Sequence, residues 1–191
     1  DETTLRLKLD FDLDRDLTAK LLLSQVDMDD PADIWTIDGS LNTLSDRPGM
    51  DAQKTDTLGL KFFKKNRFLE FQSLTSTTNT DVVFSYDADW GNVDSHAPYT
   101  YDYFSQTLRN RKSFGQEFRL VSNENFETER LPFSWVLGVS YLKLDETNDR
   151  QDDGLYGDPQ DPFSPYSSLT ISSSDYLSLI HISEPTRQLC I

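Results

Sequence analysis

The chain has 191 residues, with 18 basic against 33 acidic side chains, a net charge of -15 and a pI near 4.3. That balance repels phosphate backbones and so disfavours nucleic-acid binding. The acidity is dispersed rather than gathered into a tail, and the 12% aromatic content argues against disorder. No run approaches the ~18 apolar residues of a membrane-crossing helix, which leaves open a membrane-crossing strand, whose signal is alternation over roughly ten residues. The opening "DETT" carries no initiator Met, basic segment or apolar leader. The expectation is a removed signal or an internal piece of a longer chain.

The first predicted strand is "TLRLKLDFDL", Thr4 to Leu13. Leu5, Leu7, Leu9, Phe11 and Leu13 alternate without a miss against Arg6, Lys8, Asp10 and Asp12. A strand has period two, so the five apolar side chains share one face and the four charges the other. Two environments ask for such a strand: a soluble core on one side, or a barrel wall with lipid outside and water inside. After a polar turn at Asp14 to Asp16, Leu17, Ala19, Leu21 and Leu23 alternate with Thr18, Lys20 and Ser24, Leu22 being the one lapse. A connection rich in Asp, Pro, Gly and Ser fills 29–53. The third strand starts near Lys54, with Leu58, Leu60 and Phe62 opposite Thr57, Gly59 and Lys61.

"KKNR", Lys64 to Arg67, is again short. The fourth strand runs from Phe68 to Trp90, with Val82, Phe84, Tyr86, Ala88 and Trp90 opposed to Val83, Ser85, Asp87 and Asp89. Its middle, "TSTTNT", has no phase and is a place for a bulge. An aromatic loop, "GNVDSHAPYTYDYF", leads to a fifth strand at about Ser105 to Ser122. That strand sets Phe114, Phe118 and Leu120 against Glu117 and Arg119. The polar connector "NENFETERL" precedes a sixth strand, Pro132 to about Thr147. Phe133, Trp135, Leu137, Val139 and Tyr141 face one way there, and Ser134, Gly138 and Ser140 the other.

The connections alternate short and long: 14–16, 29–53, 64–67, 91–104, 123–131, then 148 onward. Short turns at one end and long loops at the other characterise an outer-membrane barrel, and Greek-key sandwiches give no reason for that order. The predicted fold is therefore all-β: an antiparallel up-and-down meander of about six long strands. It forms an open curved sheet, a partial transmembrane β-barrel. Leu7, Leu21, Leu60, Phe84, Phe118 and Leu137 are expected on the lipid face. Arg6, Lys20, Lys61, Asp87, Glu117 and Arg119 are expected on the lumen face.

"FSQTLRNRKSFGQEFRLVS" (Phe104 to Ser122) and "FSWVLGVSYLKLDET" (Phe133 to Thr147) carry a further pattern. Gln116, Glu117, Arg119 and Leu120, followed by Trp135, Gly138 and Tyr141, resemble the barrel region of TonB-dependent outer-membrane receptors. "YDADWGN", Tyr86 to Asn92, is similar to a strand-to-loop edge of the same family. The resemblance covers most of residues 1–150 and implies an interior slice of a larger barrel. Plug domain, TonB box and closing strand would lie outside it. It further implies a cell outer membrane of Gram-negative type and an imported scarce solute of siderophore, vitamin or glycan type. Its implied partners are membrane lipid and, through the plug, the inner-membrane TonB complex. No enzymatic activity and no cofactor are expected. The alternative from another class is a secreted all-β carbohydrate-binding or carbohydrate-active domain.

Candidate site residues follow from this frame. Tyr99, Tyr101 and Tyr103 could stack on a ligand at the barrel mouth or belong to an aromatic girdle, and Trp90 fits the girdle. Glu117 and Arg119 are lumen-facing charges, either meeting plug and ligand or pairing to satisfy a wet interior. In the acidic loop 145–162, Asp149, Gln151, Asp153 and Gly154 imitate the start of a calcium loop, but Gln160 stands where a bidentate Glu is needed. No metal ligands are assigned. Asp87 and Asp89 are one of many carboxylate pairs, and His96 is the only histidine before the tail, so no catalytic residue is assigned either. The tail "LSLIHISEPTRQLCI", Leu177 to Ile191, resembles translated sequencing adaptor. The expected organisation is thus a partial barrel over 1–176 and a non-native tail over 177–191, with His181 and Cys190 set aside.

Overall fold

A computed structural model describes residues 1–32, 35–123 and 133–187, with side chains to 178. The described chain is one antiparallel sheet of seven strands in sequential order. They are β1 (Glu2–Asp14), β2 (Leu17–Pro31), β3 (Met50–Lys65), β4 (Leu69–Asp87), β5 (Thr100–Ser122), β6 (Trp135–Gly157) and β7 (Tyr166–Arg187). The first and last strands form the edges of this open sheet, and the described residues contain no helix. The up-and-down all-β expectation holds, but the strand count does not.

The seventh strand comes from sequence read as loop and tail. β6 continues ten residues past Thr147, so Asp145 to Gly157 is strand and the connection to β7 is only 158–165. Both faces of that segment are polar, which erases the hydrophobic period that reveals a strand. Cross-strand backbone pairing sustains it instead, from Arg111 opposite Glu146 to Thr100 opposite Gly157. β7 crosses the expected boundary at 176/177 without a break, with Tyr176 opposite Glu146 and Arg187 opposite Trp135. Residues 188–191, with Cys190, lie outside the described residues.

Short–long alternation holds only in part. The turns at 15–16 and 66–68 are tight, and the loop at 32–49 is long. The connection at 123–134, expected to be short, equals that at 88–99 in length, and its middle lies outside the described residues. Polar side chains build the tight turns. Asp14 Oδ1 accepts the Arg15 N–H at 2.8 Å, while Asn66 Oδ1 accepts from Phe68 N–H at 2.8 Å and Leu69 N–H at 2.7 Å.

Directly opposed residues of an antiparallel ladder project to the same face. One row runs Leu9–Leu21–Leu60–Thr75–Gln116–Tyr141, and the next Leu7–Leu23–Leu58–Thr77–Phe114–Lys143. Towards the short turns lie Phe11–Ala19–Phe62–Ser73–Phe118–Val139 and then Leu17–Lys64–Phe71–Leu120–Leu137. These rows form an apolar belt on one face, spanning roughly 20–26 Å along the strands. The opposite face at the same level is polar: Asp10–Lys20–Lys61–Leu74–Glu117–Ser140 is one of its rows.

Two face assignments are corrected. The β3–β4 ladder runs from Met50 opposite Ser85 to Lys65 opposite Glu70 with no shift, so "TSTTNT" contains no bulge. Parity then carries through unbroken. Phe84, opposite Asp51 and Thr107, lies on the polar face, and Asp87, opposite Phe104, lies on the apolar side. The other ten residues fall as expected.

Among the described residues, no second layer covers the sheet. Among the described hydrophobic side chains only Ala19, at 5% exposure, is buried, whereas Leu137 is 47% exposed. Leu7, Leu23, Leu58, Phe114 and Phe118 are likewise exposed. Burying one such Leu or Phe contributes about 1.5–3 kcal/mol, so water is a poor solvent for this face. Expressed in aqueous buffer, the chain should therefore self-associate and become monodisperse only in detergent. Sedimentation in the two media checks this, and a cooperatively melting monomer in buffer alone would contradict it.

Candidate functional site

The long-loop end gathers aromatic and acidic side chains into a cavity of about 430 Å³. Register places Asp30, Asp51, Phe84 and Tyr86 there on the polar face. Trp35 and Trp90 arrive from the loops at 32–49 and 88–99. The two indoles lie 6.1 Å apart, and the Phe84 and Tyr86 rings 5.7 Å apart. Asp87 and Ser45 also reach the cavity wall.

Asp89 shapes the loop that carries Trp90. It is 4% exposed, and both its oxygens receive backbone N–H groups: Oδ1 from Gly91 at 2.9 Å and Oδ2 from Tyr103 at 2.8 Å. Ala88 N–H donates back to Tyr103 O at 2.7 Å, which locks the loop base to β5. Between these bonds Trp90 adopts φ 59°, a left-handed conformation that costs a bulky residue energy. The Asp89 bonds hold it there. Trp90 thus lies in the loop after β4 rather than within the strand, its indole tilted against that of Trp35.

The loop at 32–49 is fastened across neighbouring strands. Asp46 N–H donates to Gly91 O at 2.9 Å, Asn92 Nδ2 to Leu44 O at 3.2 Å, and Met50 N–H to Ser85 Oγ at 3.1 Å. Arg47 reaches Asp102 at 3.3 Å and Asp153 at 3.5 Å, and its guanidinium sits 4.4 Å from the centre of the Phe104 ring. Neither Trp35 nor Arg47 stands out in the sequence, because a loop has no period and their partners lie 55 or more residues away.

The predicted tyrosines divide. Tyr101 and Tyr103 lie on the polar face with ring centres 4.6 Å apart, and Tyr101 also meets His96 at 5.1 Å and Tyr156 at 6.4 Å. The Tyr103 ring lies over Gly154, where an added Cβ would come within 2.4 Å of it. Tyr99 is exposed and stands outside these ring pairs, its N–H donating to His96 O at 3.0 Å. Glu117 and Arg119 contact one another on the polar face beside Lys61 and Gln72, well away from the long loops.

Carboxylates serve as scaffold. With both oxygens committed to backbone donors, Asp89 is poorly placed as an acid–base pair with Asp87. Asp149, Gln151 and Asp153 lie on extended β6, not on a loop that could wrap an ion, and Asp153 is held by Arg47. Among the described residues, no group of three or more His, Cys, Asp or Glu could hold a metal. Comparisons with protein-family models, curated proteins and solved structures find no match for this chain.

Burial, reinforced by the nearby Asp87 carboxylate, raises the Asp89 pKa above its ordinary 3.8. The folded loop then binds that proton more tightly than the unfolded chain, so its stability should fall as pH rises from 3.8 through the raised value. Asp89→Asn should remove this dependence. It should also destabilise the loop by about 1–3 kcal/mol, because an amide nitrogen cannot accept the Tyr103 N–H. Tryptophan-monitored denaturation across the acid range measures both effects.

Proposed function

We infer that this chain is a wall segment, with part of the extracellular ligand surface, of an outer-membrane receptor of the TonB-dependent type. The observation that carries this reading is the exposed apolar belt backed by a charged and hydroxylated face. A soluble sheet must cover its apolar face with a second layer, whereas a barrel wall turns that face to lipid. The belt's extent is comparable with the ~25 Å apolar band of such walls.

Lys64 and Lys143 stand at the margins of the belt, Lys143 paired with Asp145 at 2.8 Å, and the uncharged polar patch at its centre fits a lipid environment. Thr75 Oγ1 donates to Gln116 Oε1 at 2.6 Å, Gln116 Nε2 donates to Ser73 Oγ at 3.2 Å, and Thr77 Oγ1 donates to Ser113 O at 3.1 Å. These groups find partners without water, as hydrocarbon surroundings require. On the other face, Lys20 pairs with Asp10 at 3.0 Å and Arg111 with Glu146 at 2.6 Å, as expected of a wet lumen.

The receptor assignment, as opposed to any barrel, rests on the sequence pattern of β5 and β6. Its elements meet across one ladder, with Arg119 opposite Gly138 and Gln116 opposite Tyr141. On this reading the long-loop cavity faces the outside and receives the solute to be imported. Coupling to the inner-membrane TonB complex belongs to a plug beyond this chain. No catalytic step is assigned.

Leu137→Arg in the full-length barrel, refolded into lipid vesicles, should cost about 2–4 kcal/mol, and Ser140→Arg much less. Equal penalties, read from refolding equilibria, would remove the basis for assigning an outside and an inside.

A further inference from the structure

We propose that the cavity at the long-loop end binds an organic cation, a solute carrying an ammonium or guanidinium group; this rests on the receptor reading and narrows its ligand. Among the described residues lining the cavity there is no Lys, Arg or His. Asp30 and Asp51 line it and stand directly opposite each other in the β2–β3 ladder. Like charges so placed repel, and a cation between them relieves the repulsion.

The remaining lining is aromatic. Trp35, Trp90, Phe84 and Tyr86 present π faces, and a cation close to a π face is attracted by the ring quadrupole. Carboxylates beside indoles therefore favour a positive solute and reject an anionic chelate by repulsion. Arg150, which shares the Phe84 row through Thr107, is itself paired with Asp152 at 2.9 Å. The chain's net charge of -15 would also raise the local concentration of cations at its surface. The volume, about 430 Å³, suits a small solute rather than a folded partner.

The test is calorimetric titration of the detergent-solubilised chain with spermidine, and in parallel with maltose and citrate. Spermidine should bind saturably, more weakly at high salt, while maltose and citrate give no saturable heat. Asp51→Asn should weaken spermidine at least about tenfold, and Trp35→Leu a few-fold. Glu70→Gln removes a carboxylate from the same face but outside the cavity, and should change nothing. Preferential binding of maltose or citrate, equal losses in Asp51→Asn and Glu70→Gln, or no spermidine heat from a chain with native β-sheet dichroism would each overturn the proposal. The arginine substitutions at Leu137 and Ser140 test the wall separately. If they fail to distinguish the faces, the receptor reading falls and this inference with it; if they succeed and spermidine does not bind, only the inference falls.

Discussion

A sheet of seven strands needs somewhere to put its apolar side chains, and the described residues supply no second layer. Ala19 is the one buried hydrophobic side chain among the described residues. Leucines and phenylalanines instead form a belt bounded by polar rows such as Gln25–Asp56–Asn79–Lys112–Asp145. The hydrophobic effect does not tolerate such a surface in water at this extent. Every other feature follows from how that demand is met. On the proposed reading, lipid on the belt side would account for the self-bonded Ser–Thr–Gln patch and the ion-paired opposite face.

That division also locates the site. The belt lies toward the tight turns, where side chains have a solvent to match and little freedom to specialise. Beyond it the strands continue with polar residues on both faces, and the loops at 32–49 and 88–99 fold back onto them. Backbone bonds to Asp89 and the Arg47 bridges hold those loops in place, so the Trp35–Trp90 platform sits on a rigid frame. The cost of the left-handed Trp90 is met by the buried carboxylate beside it.

Much of the fold is legible wherever one face is apolar. β1 and β2 alternate in the sequence as they do in the ladder, and Glu117 and Arg119 share the face that their spacing assigns. Legibility fails where amphipathicity fails. Asp145 to Gly157 and Tyr166 to Tyr176 are strands with few apolar residues, held by backbone bonding to neighbours that a local pattern cannot reveal. Phe84 and Asp87 exchanged faces because "TSTTNT" offered no phase to carry parity across it. The site was half visible: Tyr101 and Tyr103 cluster as their spacing suggests, but Trp35 and Arg47 acquire meaning only through contacts remote in sequence.

The central claim is that one face of this sheet meets lipid and the other water. Nitroxide labels placed singly along β5 from Ser113 to Leu120 in the lipid-reconstituted protein test it most directly. Labels at Phe114, Gln116, Phe118 and Leu120 should be relaxed by oxygen and shielded from a water-soluble nickel complex. Labels at Ser113, Gly115, Glu117 and Arg119 should show the reverse. Period-two alternation in that phase is the predicted result; uniform accessibility, or alternation in the opposite phase, would contradict the account.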